Sequence, residues 1–161
     1  MSKHGSSDFN SFCSLIKDTV LLFGNLIALE NKKIDAIAEN NAALLDQHMN
    51  EEQAYLMQMR GLDHKREKVQ KQLDSSGLTF RQMIEKFESS ERETLDTLYG
   101  ELSSKSSELK DAISTARKYI DLHLSTITAL LERLEGTDGI YDKKGEMGQK
   151  DPPTRFAPTK A

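Results

Sequence analysis

The sequence predicts an all-α protein: an elongated antiparallel helical hairpin or three-helix bundle with a long C-terminal helix. Three observations carry that prediction. The only prolines are Pro152, Pro153 and Pro158, so the residues before them include none of the strongest helix breaker. Charged residues make up 30% of the chain and apolar residues 37%, with both signs interspersed and a net charge of −4. That balance suits exposed helices joined by narrow apolar seams rather than one large spherical core. Finally, alternating steps of four and three from Leu95 visit Leu95, Tyr99, Leu102, Ser106, Leu109, Ile113, Ala116, Ile120, His123, Ile127, Leu130 and Leu134. All but Ser106 and His123 are apolar or aromatic, a heptad seam sustained for about six repeats.

The elements follow in order. Residues 1–7 are polar and are expected to be disordered, and Ser7 or Asp8 is placed to cap a first helix. That helix is apolar nearly all round at Val20, Leu21, Leu22, Phe23, Leu26 and Ile27, so it needs neighbours on more than one side. Gly24 is either a close helix–helix approach or a weak point. Asn40 and Asn41 are cap-type residues and predict a break or bend. A second helix from about Ala42 to Leu73 carries a thinner apolar line through Leu45, Met49, Leu56, Met59, Leu62, Val69 and Leu73. Its methionines, with Met83, read as core or as an adaptable binding surface.

Asp74-Ser75-Ser76-Gly77 is a turn, and Thr79-Phe80-Arg81-Gln82 is a capping box. A short helix follows, with Phe80, Met83, Ile84 and Phe87 facing inward. Ser90-Glu91-Arg92-Glu93 is a second capping box, opening a helix that runs to Glu135 and ends at Gly136 and Gly139. The expected organisation is therefore residues 1–7 disordered, 8–140 helical, and 141–161 a disordered tail holding all the prolines.

Several chemistries lack their residues. The histidines are His4, His48, His64 and His123; none has a second ligand at spacing that specifies a metal site, and a pair such as His48 and Glu52, four apart on one helix face, is common by chance, so no metal or cofactor is expected. No glycine-rich phosphate loop exists, and acid pairs such as Glu51 and Glu52 lack a cleft, so catalysis is not expected. The basic run Lys65, Arg66, Lys68 and Lys71 is broken by Glu67 and has no aromatic readers nearby; it is a solvated helix face rather than a nucleic-acid surface. The uncharged run Thr19–Leu29 is about half the ~20 residues of a spanning helix, and Asp18 precedes it, so neither membrane insertion nor a signal peptide is expected. The single Cys13 forms no internal disulfide, consistent with a cytoplasmic setting. His123, on the seam, is either a polar position that helps fix register or a pH-sensitive partner contact.

The order of these segments resembles the FlgN family, the export chaperones of the flagellar hook–filament junction proteins. The resemblance rests on Gly77-Leu78-Thr79-Phe80-Arg81-Gln82-Met83-Ile84 ahead of the last long helix, and on Tyr141, Asp142 and Gly145 after it. It spans about residues 10–145. The sequence departs from the family pattern at Ser89-Ser90, where a proline is common, and in the polar stretch Ser103–Ser107. The resemblance implies a cytoplasmic chaperone that binds the terminal helices of hook-associated proteins along its own last helix, prevents their premature association and delivers them to the flagellar type III export apparatus. The residues it singles out are Ile120, Leu124, Ile127, Leu131 and Leu134, with Ile140 and Tyr141 nearby. Ile120, Ile127 and Leu134 lie on the seam and could equally be the bundle's own core, whereas Leu124 and Leu131 lie just off it. The alternative function is a structural coiled-coil scaffold that self-assembles. The oligomeric state stays open.

Overall fold

A computed structural model describes residues 5–135. Among these residues there are four helices and no strand: α1 (Ser6–Ala38), α2 (Ala42–Gln72), α3 (Phe80–Ile84) and α4 (Ser89–Leu134). The chain divides into two units, residues 1–117 and residues 118–161.

The first unit is a helical bundle whose turns are set by local hydrogen bonds. Asn40 takes the left-handed conformation at φ 55°. Its N–H donates to the Ile37 carbonyl at 3.0 Å, and the Asn41 N–H reaches the Ala36 carbonyl at 2.9 Å. This is the paired closure that ends a helix at a residue in the left-handed region. Asn41 then starts the next helix, its side chain accepting from the Leu44 N–H at 3.0 Å. The same closure ends α2: Asp74 sits at φ 52°, and the N–H groups of Asp74 and Ser75 bond to Lys71 and Gln70 carbonyls at 3.1 and 2.7 Å. Gly77 turns the chain at φ 83°, a region glycine enters without a Cβ penalty. The Thr79 capping box forms as expected: the Thr79 hydroxyl accepts from the Gln82 N–H, and the Thr79 N–H donates to Gln82 Oε1.

Two helix starts differ from the sequence reading. α1 begins at Ser6, capped by Gly5 with no side-chain bond, so Ser7 and Asp8 lie inside its first turn. Asp8 there faces the positive end of the helix dipole. α4 begins at Ser89, and the Arg92 N–H already bonds to the Glu88 carbonyl at 2.8 Å. Ser90 is thus within the helix rather than its cap.

Packing follows from the apolar positions. Phe12, Leu15 and Ile16 of α1, Val69 and Leu73 at the end of α2, Met83, Ile84 and Phe87, and Leu95, Leu98 and Leu102 of α4 form one buried cluster. Leu22 and Leu26 form a second with Leu109. The start of α1 meets the end of α2, so these helices are antiparallel. The order Leu95 to Leu109 follows the order Phe12 to Leu26, so α4 runs along α1 in the same direction. α1 contains a window of mean hydropathy 1.6, long and apolar enough to cross a membrane by length and composition. Here Phe12, Leu15, Ile16, Leu22 and Leu26 of that helix are buried in the two core clusters, while Leu21 is exposed.

Gly24 is not a close helix approach: a Cβ there meets nothing within 4 Å, and the same holds at Gly61. Both lie inside helices, where glycine costs roughly 0.5–1 kcal/mol relative to alanine. Gly24→Ala and Gly61→Ala are each expected to stabilise the fold by about that amount, read as a rise in the urea midpoint. A fall at Gly24 would mean that a neighbour does occupy that space.

One charged group is buried between α1 and α2. Glu30 is 2% exposed and Lys33 7%. The Lys33 ammonium donates to Glu30 at 3.1 Å and across the hairpin to Glu52 at 3.1 Å. Two carboxylates share one ammonium, so one of them holds a proton easily. Burial, then the hydrogen bond with Glu52, pushes Glu30 up to about 7 against the pull of Lys33. Glu52 is lowered: burial opposes this, but the hydrogen bonds from Glu30 and Lys33 and the Lys33 charge prevail. Because the folded state raises Glu30, its contribution to stability is full below the ordinary carboxylate range and is lost as pH rises through about 7. Glu30→Gln, which mimics the protonated form, is expected to flatten the stability–pH curve between about 5 and 8. Urea unfolding across that range checks it; an unchanged slope would show that Glu30 does not carry the proton.

Candidate functional site

The seam of α4 changes character along its length. Within the first unit Leu95, Leu102, Leu109 and Ala116 are all buried, with Leu95 at 0% exposed. Ala116 is the last buried residue of the helix.

The second unit contains the remainder of α4, and there the apolar side chains are open to solvent. Leu124 is 57% exposed, Leu131 48% and Leu134 80%. Ile127 is also exposed, and Ile120 is half-buried. At 100° per residue, Ile120, Leu124, Ile127, Leu131 and Leu134 fall within an arc of about 80°. The five therefore form one stripe along one side of the helix. Ile140 and Tyr141 lie outside the described residues, as does the tail from 141 on.

The helix around the stripe is unusually free of charge. No charged residue stands between Asp121 and Glu132. Polar groups there are internally satisfied or small: the Thr126 hydroxyl donates to the Leu122 carbonyl at 2.9 Å, one turn back. His123 is partly buried. Exposed apolar side chains scattered singly are ordinary on a protein surface, whereas these lie together along one side of the helix.

Three further exposed apolar residues of α4 after Ala116 were not singled out from the sequence as site residues: Tyr119, Leu122 and Leu130. Leu130 borders the stripe. Leu122 and Leu130 fall in the uncharged span, a signal that heptad counting does not weigh, while Tyr119 lies just before it. Elsewhere, Met83 is fully buried and Met59 packs on a core cluster, whereas Met49 and Met57 are exposed on α2.

Other candidates resolve into structural pairs. His48 is buried, with its Nδ1 2.9 Å from Glu51 Oε1, while Glu52 turns to Lys33. The His48–Glu52 pair that shares a helix face by spacing is therefore divided between two partners. Among the described residues, no group of three or more His, Cys, Asp or Glu side chains is arranged to hold a metal ion. Cys13 is buried, and burial raises its thiol above the ordinary range against the opposing charge of Lys17. A raised thiol is a poor nucleophile.

A long helix that ends in an uncharged apolar stripe, preceded by a helical hairpin and a capped short helix, is the pattern met in the sequence. A family model described as FlgN protein matches residues 1–149. The chain belongs to the FlgN family. FlgN proteins are flagellar export chaperones, cytoplasmic and not known as enzymes, and the family in general binds hook-associated proteins. No curated protein and no solved structure matches the chain.

Proposed function

We propose that this FlgN chain holds the terminal helices of hook–filament junction proteins on the stripe Ile120, Leu124, Ile127, Leu131 and Leu134, with Ile140 and Tyr141 contributing nearby. The observation that carries the reading is the exposure of that stripe on a helix whose earlier seam buries Leu95, Leu102, Leu109 and Ala116. An amphipathic client helix laid along it buries its apolar face, as in helix-in-groove recognition. Covered in this way, client helices do not pair with one another before export, and the chaperone passes them to the flagellar export apparatus in the cytoplasm. The absence of charge from Leu122 to Leu131 supports a hydrophobic contact, since no fixed charge has to be desolvated when the client docks.

The test is calorimetric titration with peptides from the terminal helices of the same organism's junction proteins. Binding at micromolar or tighter dissociation constants is expected, with a negative heat-capacity change from apolar burial. No binding to any such peptide, with a melting temperature that rises with protein concentration, would instead favour a self-assembling scaffold.

A further inference from the structure

The first unit contains a pocket that the client stripe does not use. It has a volume of about 500 Å³ and lies between α1, α2, α3 and α4, within the range of ordinary ligand pockets. Its floor is apolar, with Phe23 from α1, Met59 and Leu62 from α2, Phe80 from α3, and Tyr99 and Leu102 from α4. It opens where the heptad seam carries Ser106 in place of a large residue. A leucine at that position would narrow the pocket.

The rim is built and charged. Arg66 is fixed by two bonds of 2.8 Å to Asp63 and one of 2.8 Å to Gln70 Oε1. Gln70 is 6% exposed, and its amide donates to the Leu78 carbonyl at 2.9 Å. Asp63 is therefore already neutralised. Lys110, also on the rim, has no ion-pair partner within 4 Å among the described residues. The local surplus is positive on a chain whose net charge is −4. Ser103, Ser106 and Ser107 add hydroxyls along one wall.

We propose that this pocket is a second client contact, taking a bulky apolar side chain of the client peptide whose neighbouring carboxylate faces Lys110. An apolar floor beneath an unpaired ammonium selects that pairing: the side chain gains by burial and the acid by charge. The inference rests on the client-binding reading above.

The test uses the full chain and the same terminal-helix peptides. Ser106→Leu narrows the pocket with a larger side chain, and Lys110→Glu reverses its unpaired charge at an exposed position without touching the core. Ser106→Leu is expected to keep or raise the melting temperature and to weaken peptide binding at least tenfold. Lys110→Glu is expected to weaken binding several-fold, with recovery on a peptide whose acidic residue next to the apolar anchor is changed to lysine. If Ser106→Leu does not fold, the charge swap with Lys110→Glu decides alone. If wild type binds and the folded variants bind equally well, the pocket assignment falls and the stripe assignment stands. If wild type binds no peptide, both fall.

Discussion

Phe12→Ala is expected to lower the free energy of unfolding by about 3–5 kcal/mol, the usual range for truncating a fully buried aromatic. Phe12 is 0% exposed. Its ring stacks on Phe87 at 5.9 Å and meets Phe80 edge-on at 5.4 Å, while Phe87 also contacts Phe9 at 6.0 Å. These aromatics join α1 to the short α3 and the residues that follow it. α3 has five residues, far too few to be stable alone. Removing Phe12 therefore takes away both buried area and the surface on which α3 is folded. Against a typical total of about 5–15 kcal/mol, that is a large fraction of the margin. Urea unfolding followed by circular dichroism measures it, with Leu21→Ala as the control. Leu21 is on the same helix but 66% exposed, so its loss should stay within about 0.5 kcal/mol. Equal effects at the two positions would overturn the assignment of the core.

Leu124→Asp and Leu131→Asp are expected to reduce client-peptide affinity by about a hundredfold each, roughly 2.7 kcal/mol, while leaving the fold intact. The two halves of the prediction have one cause. Both side chains are about half exposed on a stretch of α4 that contains no buried residue, so a carboxylate there stays hydrated in the free protein. When a client helix covers it, the same carboxylate must be desolvated without a partner, which is costly. Leu131→Asp also places a negative charge near the C-terminal end of α4, an unfavourable position worth a few tenths of a kcal/mol. Leu109→Asp supplies the contrast: Leu109 is 7% exposed within a core cluster, so that variant should unfold the bundle rather than spare it. Titration and thermal melting on the same samples separate the two effects. Unchanged affinity in both exposed variants would move the client to another surface.

Much of the fold was legible because it is local. The break at Asn40-Asn41, the turn ending at Gly77 and the Thr79–Gln82 box are each decided by hydrogen bonds within a few residues. The inward set Phe80, Met83, Ile84 and Phe87 follows from helical spacing once that box is placed. The starts of α1 and α4 were read less well. Side-chain caps were available at Ser7, Asp8 and Ser90, but each helix begins before them; a cap residue is a preference of about 1 kcal/mol that the surrounding packing can override.

The site was legible as a pattern but not as a surface. Leu109 and Leu130 hold equivalent heptad positions, three repeats apart, yet Leu109 is 7% exposed and Leu130 46%. The heptad records only that these side chains share one side of a helix. Burial depends on what lies opposite, and for Leu109 that is Leu22 and Leu26 of α1, more than eighty residues earlier in the chain. The charged cluster teaches the same lesson. Glu30 and Lys33 are visible as an ordinary pair three residues apart, whereas Glu52 joins them only because α2 folds back along α1. By itself the sequence determined the helices, their turns and the apolar line of α4, since these follow from short-range geometry and periodicity. Only the tertiary structure decided which part of that line is core and which is open to solvent, because burial is a property of neighbours distant in sequence.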